Sequence, residues 1–221
     1  MRKKLQAGDG RTMRPLTIRN YERRDFAKLV ELQRRCFPPP FPSELWWNEE
    51  QLNEHVSRFP DGALCAEAEG RIVGSMTGLR TVLDDGKPHT WSAVTDEGYI
   101  RTHLPNGDTI YVVDLCVDPE FRQLGIGKWL MQSMYETVVY LGCRRLLGGG
   151  RMPGYAAHAD KLSPEEYVAR VVSGELRDPV LTFMLRCGRM PIGVVPGYLE
   201  DEQSAGYAAL MEWKNPFMVE V

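Results

Sequence analysis

The chain has no disulfide framework and no metal-ligand spacing. Its five cysteines, Cys36, Cys65, Cys116, Cys143 and Cys187, are scattered, odd in number and never paired as Cys-x-x-Cys. That pattern excludes a cystine scaffold and a zinc ribbon, and it fits a reducing cytosol. His55, His89, His103 and His158 share no metal-ligand spacing, so no metal is expected. No apolar run approaches membrane-spanning length. The basic start, Met1-Arg-Lys-Lys4, leads into polar residues rather than an apolar segment, which argues against a signal peptide. Positive charge is scarce too: 27 Lys and Arg against 30 Asp and Glu give a net charge of −3. With no basic excess to neutralise a phosphate backbone, nucleic acid is not an expected partner. What remains is a cytoplasmic globular protein, expected to touch neither membrane nor nucleic acid. At 221 residues and 43% hydrophobic content it can bury a full core. Residues 1–14 read as a flexible tail and residues 15–221 as one domain.

The most informative segment lies mid-chain. Ile110-Tyr-Val-Val-Asp-Leu-Cys-Val117 is a nearly unbroken apolar run, which predicts a buried strand. Ile126, Leu130, Met134, Val138 and Leu141 recur at three- and four-residue spacing, which predicts a helix with one apolar face. Between them lies Val117-Asp-Pro-Glu-Phe-Arg-Gln-Leu-Gly-Ile-Gly-Lys128. A strand, a tight loop with two glycines and a helix N-terminus aim several unpaired N–H groups at one spot, with the positive end of the helix dipole behind them. Such a spot suits a phosphate. It is not a P-loop, which needs glycine where Arg122 stands and Ser or Thr where Trp129 stands. Nor is it a dinucleotide fingerprint, because the third glycine is replaced by Leu130.

The remaining elements follow from local signals. Leu16–Arg19 predicts a strand, and a helical pattern runs from Phe26 to Cys36 until Pro38-Pro-Pro40 stops it. Ser43 is read as the N-cap of a second helix reaching about Phe59. Ala63–Ala66 and Ile72–Met76, separated by Glu69-Gly70, predict antiparallel strands. Residues 84–108 are polar and turn-rich, and loops of that length are usually functional or mobile. Arg144–Leu147 is the next strand, followed by a glycine-rich stretch from Gly148. Ser163-Pro-Glu-Glu166 predicts a capped helix ending at Gly174, and Asp178-Pro179 to Gly188 repeats the scheme. Ile192–Val195 and Tyr207–Trp213 close the chain as strands.

The Arg122-x-x-Gly125-x-Gly127 pattern behind Val-Asp-Pro-Glu resembles the acyl-CoA signature of the GNAT superfamily of N-acyltransferases. The order of strands and helices over roughly residues 16–147 is similar as well. An ordinary glycine-rich turn is the plainer alternative. The resemblance implies an α/β (α+β) GNAT fold: a mixed, mostly antiparallel twisted sheet of six to seven strands flanked by helices, with an extra helix before the last one. Arg151-Met-Pro-Gly-Tyr155, Asp178-Pro-Val-Leu181 and Glu212-Trp-Lys-Asn-Pro216 resemble the GNAT domains fused ahead of nitrilase-type carbon–nitrogen hydrolases.

The resemblance further implies acetyl-CoA as cosubstrate and a small-molecule or peptide amine as acceptor. Gln123, Leu124, Gly125, Ile126, Gly127 and Lys128 would hold the pyrophosphate, with charge from Arg122 and Lys128. Leu115, Cys116 and Val117 would pair with the pantetheine arm. A lysine-like amine is neutral in only about one molecule in two or three thousand at pH 7, a cost of roughly 4–5 kcal/mol. A general base offsets part of it. Asp114, the only acid in its apolar strand, is the candidate; a carboxylate that merely caps amides is the alternative. The family's usual acid, a tyrosine four residues before the last helix's glycine, is Met184 here. Tyr155 and Tyr198 are substitutes, and water is a third source of the proton. A binding module regulating a separately encoded hydrolase is the competing function. A homodimer and a separate nitrilase-type hydrolase are the protein partners left open.

Overall fold

The computed structural model describes residues 2–8, 13–39, 41, 43–84 and 89–218. Eight strands form one sheet: β1 (Arg2–Gly8), β2 (Met13–Asn20), β3 (Ala63–Ala68), β4 (Arg71–Thr81), β5 (Thr109–Val117), β6 (Arg145–Arg151), β7 (Met190–Val195) and β8 (Ala208–Lys214). Their spatial order is β1-β2-β3-β4-β5-β6-β8-β7. Neighbours are antiparallel except β5 and β6, which run parallel. The helices are α1 (Phe26–Cys36), α2 (Glu49–Arg58), α3 (Trp91–Thr95), α4 (Ile126–Tyr140), α5 (Pro164–Ser173) and α6 (Pro179–Arg186).

The eighth strand is β1, where a flexible tail was expected. Its basic residues hid the alternation that a strand shows. Arg2, Lys4 and Gln6 face out while Lys3, Leu5 and Ala7 turn inward, and the inward Lys3 reaches Glu136 on α4. The far end of β1 meets the glycine loop, where the Gly8 N–H donates to the Leu124 carbonyl at 3.1 Å.

Alternation along β5 sorts the core into two layers. A β-carbon on Gly78 would meet Ile110 and Met134 of α4, and one on Gly127 would meet Val117. Ile110 and Val117 therefore face α4. Tyr111 and Asp114 face the opposite side, where Gln33 of α1 lies. Consecutive strand residues point to opposite faces, and the odd spacing of Tyr111 and Asp114 is absorbed by a bulge. Thr77 pairs with Asp114 and Gly78 with Val112, leaving Val113 extra. On α4, Ile126, Leu130, Met134 and Val138 are all buried, as their spacing requires.

The inserted helix α5 has its own small core with α6, built on Met152, Tyr155, Tyr167, Val168, Val171, Leu181, Ala209 and Met211. Two further expectations shift. Ser43 opens only a short turn, and Asn48 caps α2 by accepting from the Gln51 N–H. Strand β6 runs on through Gly148-Gly149-Gly150 to Arg151 instead of ending at Leu147.

Ser163 caps α5 with its hydroxyl on the Glu166 N–H (3.1 Å), and the Glu166 carboxylate returns the contact to the Ser163 N–H (2.8 Å). Ser163→Ala is therefore expected to cost about 1 kcal/mol. Urea unfolding should show this as a lower midpoint with an unchanged slope.

Candidate active site

The sheet opens where β5 and β6 part. They pair only at Thr109–Tyr111 and Arg145–Leu147. Beyond these residues, Val112–Val117 have β4 on one side and, among the described residues, no strand on the other, which leaves an edge for a ligand's amides to pair with. The base of the opening is pinned by buried Arg145. Its Nε donates to Thr109 Oγ1 at 3.0 Å, its Nη1 to Glu212 Oε1 at 3.1 Å and its Nη2 to the Leu83 carbonyl at 3.2 Å.

At the far end of β5 the chain enters the glycine loop. Asp118 is fully buried and fixes the turn. Arg35 of α1 reaches its carboxylate at 3.1 Å and Arg71 at 3.5 Å, and it accepts the Glu120 N–H at 3.1 Å. Gly125 takes φ +79 as the residue before α4, a conformation that penalises any side chain. A β-carbon there would meet nothing within 4 Å, so the space above it is open. The first α4 donor with a helix-type acceptor is Trp129, whose N–H reaches the Gly125 carbonyl at 3.1 Å. The N–H groups of Ile126, Gly127 and Lys128 are therefore left for a ligand. Gly127 serves close approach: a β-carbon would sit 3.1 Å from the Phe183 ring of α6. Arg122 and Lys128 are exposed, and Arg122 Nε donates to the Val117 carbonyl at 3.3 Å. These residues fit a diphosphate.

Asp114 lies on the other face of the same strand. Trp47 N–H donates to Gln33 Oε1 at 2.6 Å, so the Gln33 amide nitrogen is the end that faces Asp114 Oδ2, at 3.4 Å. The Asp114 side chain keeps some contact with solvent, yet its carboxylate is closely packed. Burial pushes its pKa up to about 7, against the opposing hydrogen bonds from Gln33 and Cys116. Cys116 is buried beside Ser75 Oγ at 3.3 Å, and a hydrogen bond to Cys36 together with burial holds its thiol well above the usual range. It stays a neutral, apolar wall. Leu115 and Val117 line the α4 side.

The hydroxyl of Tyr21 bridges Thr77 Oγ1 (3.0 Å) and His55 Nδ1 (2.9 Å), and His55 Nε2 donates to the Gly98 carbonyl at 2.6 Å. Burial lowers the His55 pKa to about 4, so the ring is neutral and structural. Residues 89–108, within the segment expected as a functional or mobile loop, carry α3 and bury Trp91, Val94 and Ile100. The Trp91 indole donates to the Val113 carbonyl at 2.9 Å, over the bulge. Trp47 is likewise core packing.

Tyr155 and Asp114 are not brought together. The Tyr155 hydroxyl donates to the Leu162 carbonyl at 3.1 Å, and its ring packs with Tyr167 and Tyr207 in the α5–α6 core. Tyr198 instead stands in the opening. Its hydroxyl accepts from the Gly149 N–H at 3.2 Å and lies 2.7 Å from that of Tyr111, which lies 3.1 Å from His89 Nε2. The contributions of Tyr111 and His89 were missed. The one signal near them was the unusual run of three glycines, whose middle member makes room for the Tyr198 ring.

The family model described as Acetyltransferase (GNAT) family matches residues 26–159. The chain belongs to the GNAT acetyltransferase family. It is 54% identical over 216 residues to YkwB, named as an uncharacterised N-acetyltransferase of Bacillus subtilis (strain 168), covering 97% of this chain and 96% of that one. It is 38% identical over 202 residues to YhcX of the same strain, named a probable hydrolase; the match covers 90% of this chain but 39% of YhcX. Among solved structures it resembles the GphF GNAT-like decarboxylase in complex with isobutyryl-CoA, with TM-score 0.74 and 27% identity, covering 90% of this chain and 98% of that one. The ribosomal-protein-S18-alanine N-acetyltransferase of Escherichia coli shares the GNAT fold at TM-score 0.56 and 15% identity, covering 93% and 97%.

Because Asp114 is less acidic in the folded chain than in the unfolded one, its proton favours the folded state. Stability from this group is present at low pH and is lost as pH rises from about 4 to about 7. Asp114→Asn should remove that loss, with a gain over the native protein of as much as ~4 kcal/mol at neutral pH. Denaturant midpoints of both proteins at pH 4.5 and 7.5 (about two points spanning the titration) measure the difference.

Proposed function

We propose that this protein is an N-acyltransferase that moves the acyl group of a coenzyme A thioester directly to a primary amine. The observation that carries the reading is the placement of Asp114. Its pKa of about 7 lies on a strand whose free edge leads straight to the glycine loop. The loop amides between Gln123 and Lys128, with Gly125 and Gly127 giving access, would bind the diphosphate. Leu115, Cys116 and Val117 would present the edge for the pantetheine amides. A backbone N–H near the Val113 bulge would polarise the thioester carbonyl. Asp114 would accept the proton of the attacking ammonium, directly or through water, at the pH where it is half ionised. Acetyl-CoA is the donor suggested by the N-acetyltransferase name of the relative that is 54% identical.

The likeness to GphF supports an acyl-CoA in this cleft and favours one second reading, loss of carbon dioxide from a carboxylated acyl-CoA. The match to YhcX favours a regulatory module acting with a separate carbon–nitrogen hydrolase, the outcome in which binding occurs without turnover.

Calorimetry with acetyl-CoA should show binding, and Gly125→Val should weaken it at least tenfold, because a branched side chain enters both the ligand's space and a forbidden φ. Undiminished affinity in that variant would remove the diphosphate from the loop. A thiol-release assay over a panel of amines should then show turnover, with Asp114→Asn slowing it by roughly 10²-fold and flattening the pH–rate limb near 7. Thiol released only from a carboxylated acyl-CoA and without any amine would replace N-acyl transfer by decarboxylation.

A further inference from the structure

Arg189 is fully enclosed and forms no ion pair among the described residues. It follows α6 at the turn into β7. Its Nη2 donates to the carbonyls of Met211 (2.5 Å) and Gly148 (3.3 Å), while Nε and Nη1 have no acceptor. A guanidinium stays charged at neutral pH, and a buried unpaired charge costs several kcal/mol. Its charge falls on the two carbonyls that Nη2 holds.

The Gly148 carbonyl held by Arg189 belongs to the same peptide unit as the Gly149 N–H. That N–H donates to the Tyr198 hydroxyl at 3.2 Å. One peptide group thus joins the cation on one face of β6 to a phenol on the other. From Tyr198 the chain continues to Tyr111 at 2.7 Å and to His89 at 3.1 Å. The glycines permit this. A β-carbon on Gly149 would lie 2.2 Å from Tyr198 Cζ, and one on Gly148 would lie 3.0 Å from Val112 Cβ and 3.4 Å from Arg189 Nη2.

Building on the acyl-transfer reading, we propose that Tyr198 is the proton donor to the departing thiolate, and that Arg189 is a positioning residue that prepares it by polarising the Gly148–Gly149 peptide. Electron density drawn toward the carbonyl makes the N–H a stronger donor to an anionic oxygen. As the thioester C–S bond breaks, the Tyr198 O–H bond breaks and an S–H bond forms on coenzyme A. The tyrosinate left behind accepts from Gly149 N–H and Tyr111 O–H, with the Arg189 charge beyond. It regains a proton from Tyr111, which is resupplied through His89 from solvent. The ammonium loses two protons on its way to the amide, and both leave to solvent through Asp114; one is matched by the proton that solvent returns through His89 and Tyr111 to the thiolate, so each turnover releases one proton. Burial pushes Tyr198 up to about 12, but Tyr111, Gly149 and Arg189 all pull against that rise. Tyr111 is pushed well above the usual phenol range, first by burial and then by Tyr198. The Gly149 N–H and the Tyr111 hydroxyl both face the Tyr198 oxygen, so the proposal requires Tyr198 to be the member of the pair that ionises first.

The test is fluorine NMR of protein labelled with 3-fluorotyrosine, whose fluorine brings phenol ionisation into the stable pH range. Tyr198→Phe and Tyr111→Phe assign the two signals. In the unsubstituted protein Tyr198 should titrate before Tyr111; the reverse order overturns the proposal without any change at Arg189. In Arg189→Gln, which keeps a donor for the Gly148 carbonyl but not the charge, the Tyr198 midpoint should rise by about one pH unit. An unmoved midpoint overturns the role of Arg189. Tyr198→Phe should cut thiol release by about 10²-fold while calorimetric affinity for acetyl-CoA stays within about twofold. An unchanged rate overturns the donor role. Failure to bind acetyl-CoA removes the acyl-transfer reading and the donor role together, and the titration shift then decides the Arg189 link alone.

Discussion

The brevity of one strand pairing governs the rest of the molecule. β5 and β6 share three residues each and then separate, and the buried Arg145 holds that short contact shut against Thr109 and Glu212. A parallel pair is weakly held per residue, so it needs such a clamp. The separation exposes half the bonding capacity of Val112–Val117 in the middle of the sheet. Interior edges of this kind are rare because sheets normally close them. Here the open edge leads from the glycine loop at one end to Tyr198 at the other.

Two environments meet at that opening. On the α4 face the chain offers backbone N–H groups, an exposed Arg122 and an exposed Lys128, arranged for negative charge in contact with water. On the α1 face it offers a carboxyl that burial keeps near neutrality, with a neutral Cys116 beside it and the neutral His55 farther along the Tyr21–Thr77 bridge. A single strand separates them, because alternate residues of β5 serve alternate faces. The bulge at Val113 brings Tyr111 and Asp114 onto the same side. In an unbulged strand of the same length, their odd spacing would point one of the two at α4.

The sequence was legible where one local rule dominated. The loop from Val117 to Lys128, the amphipathic α4 and the capped α5 and α6 depend on short-range patterning, and all stand where their residues indicated. Asp114 stood out as the lone acid in an apolar strand, and the structure sets its carboxylate beside Gln33 of α1. The rest required partners distant in sequence. β1 is stabilised by pairing with β2 and by Lys3 reaching Glu136, neither of which its basic composition reveals. The glycines at 148–150 gave no strand signal because glycine weakens strands; they are glycines because the Tyr198 ring, Val112 and Met184 occupy the space side chains would fill. Tyr155 was attractive for its place after a Pro-Gly turn, yet the inserted α5 gives its hydroxyl a carbonyl of its own.

The contact between Gly8 and Leu124 has a practical side. The first strand props the glycine loop from outside through a main-chain bond, so β1 and the N–H groups at the head of α4 form one mechanical unit. A purification handle or fusion partner joined ahead of β1 hangs from the strand that braces this loop. Ligand affinities obtained on such material would describe the appendage along with the protein.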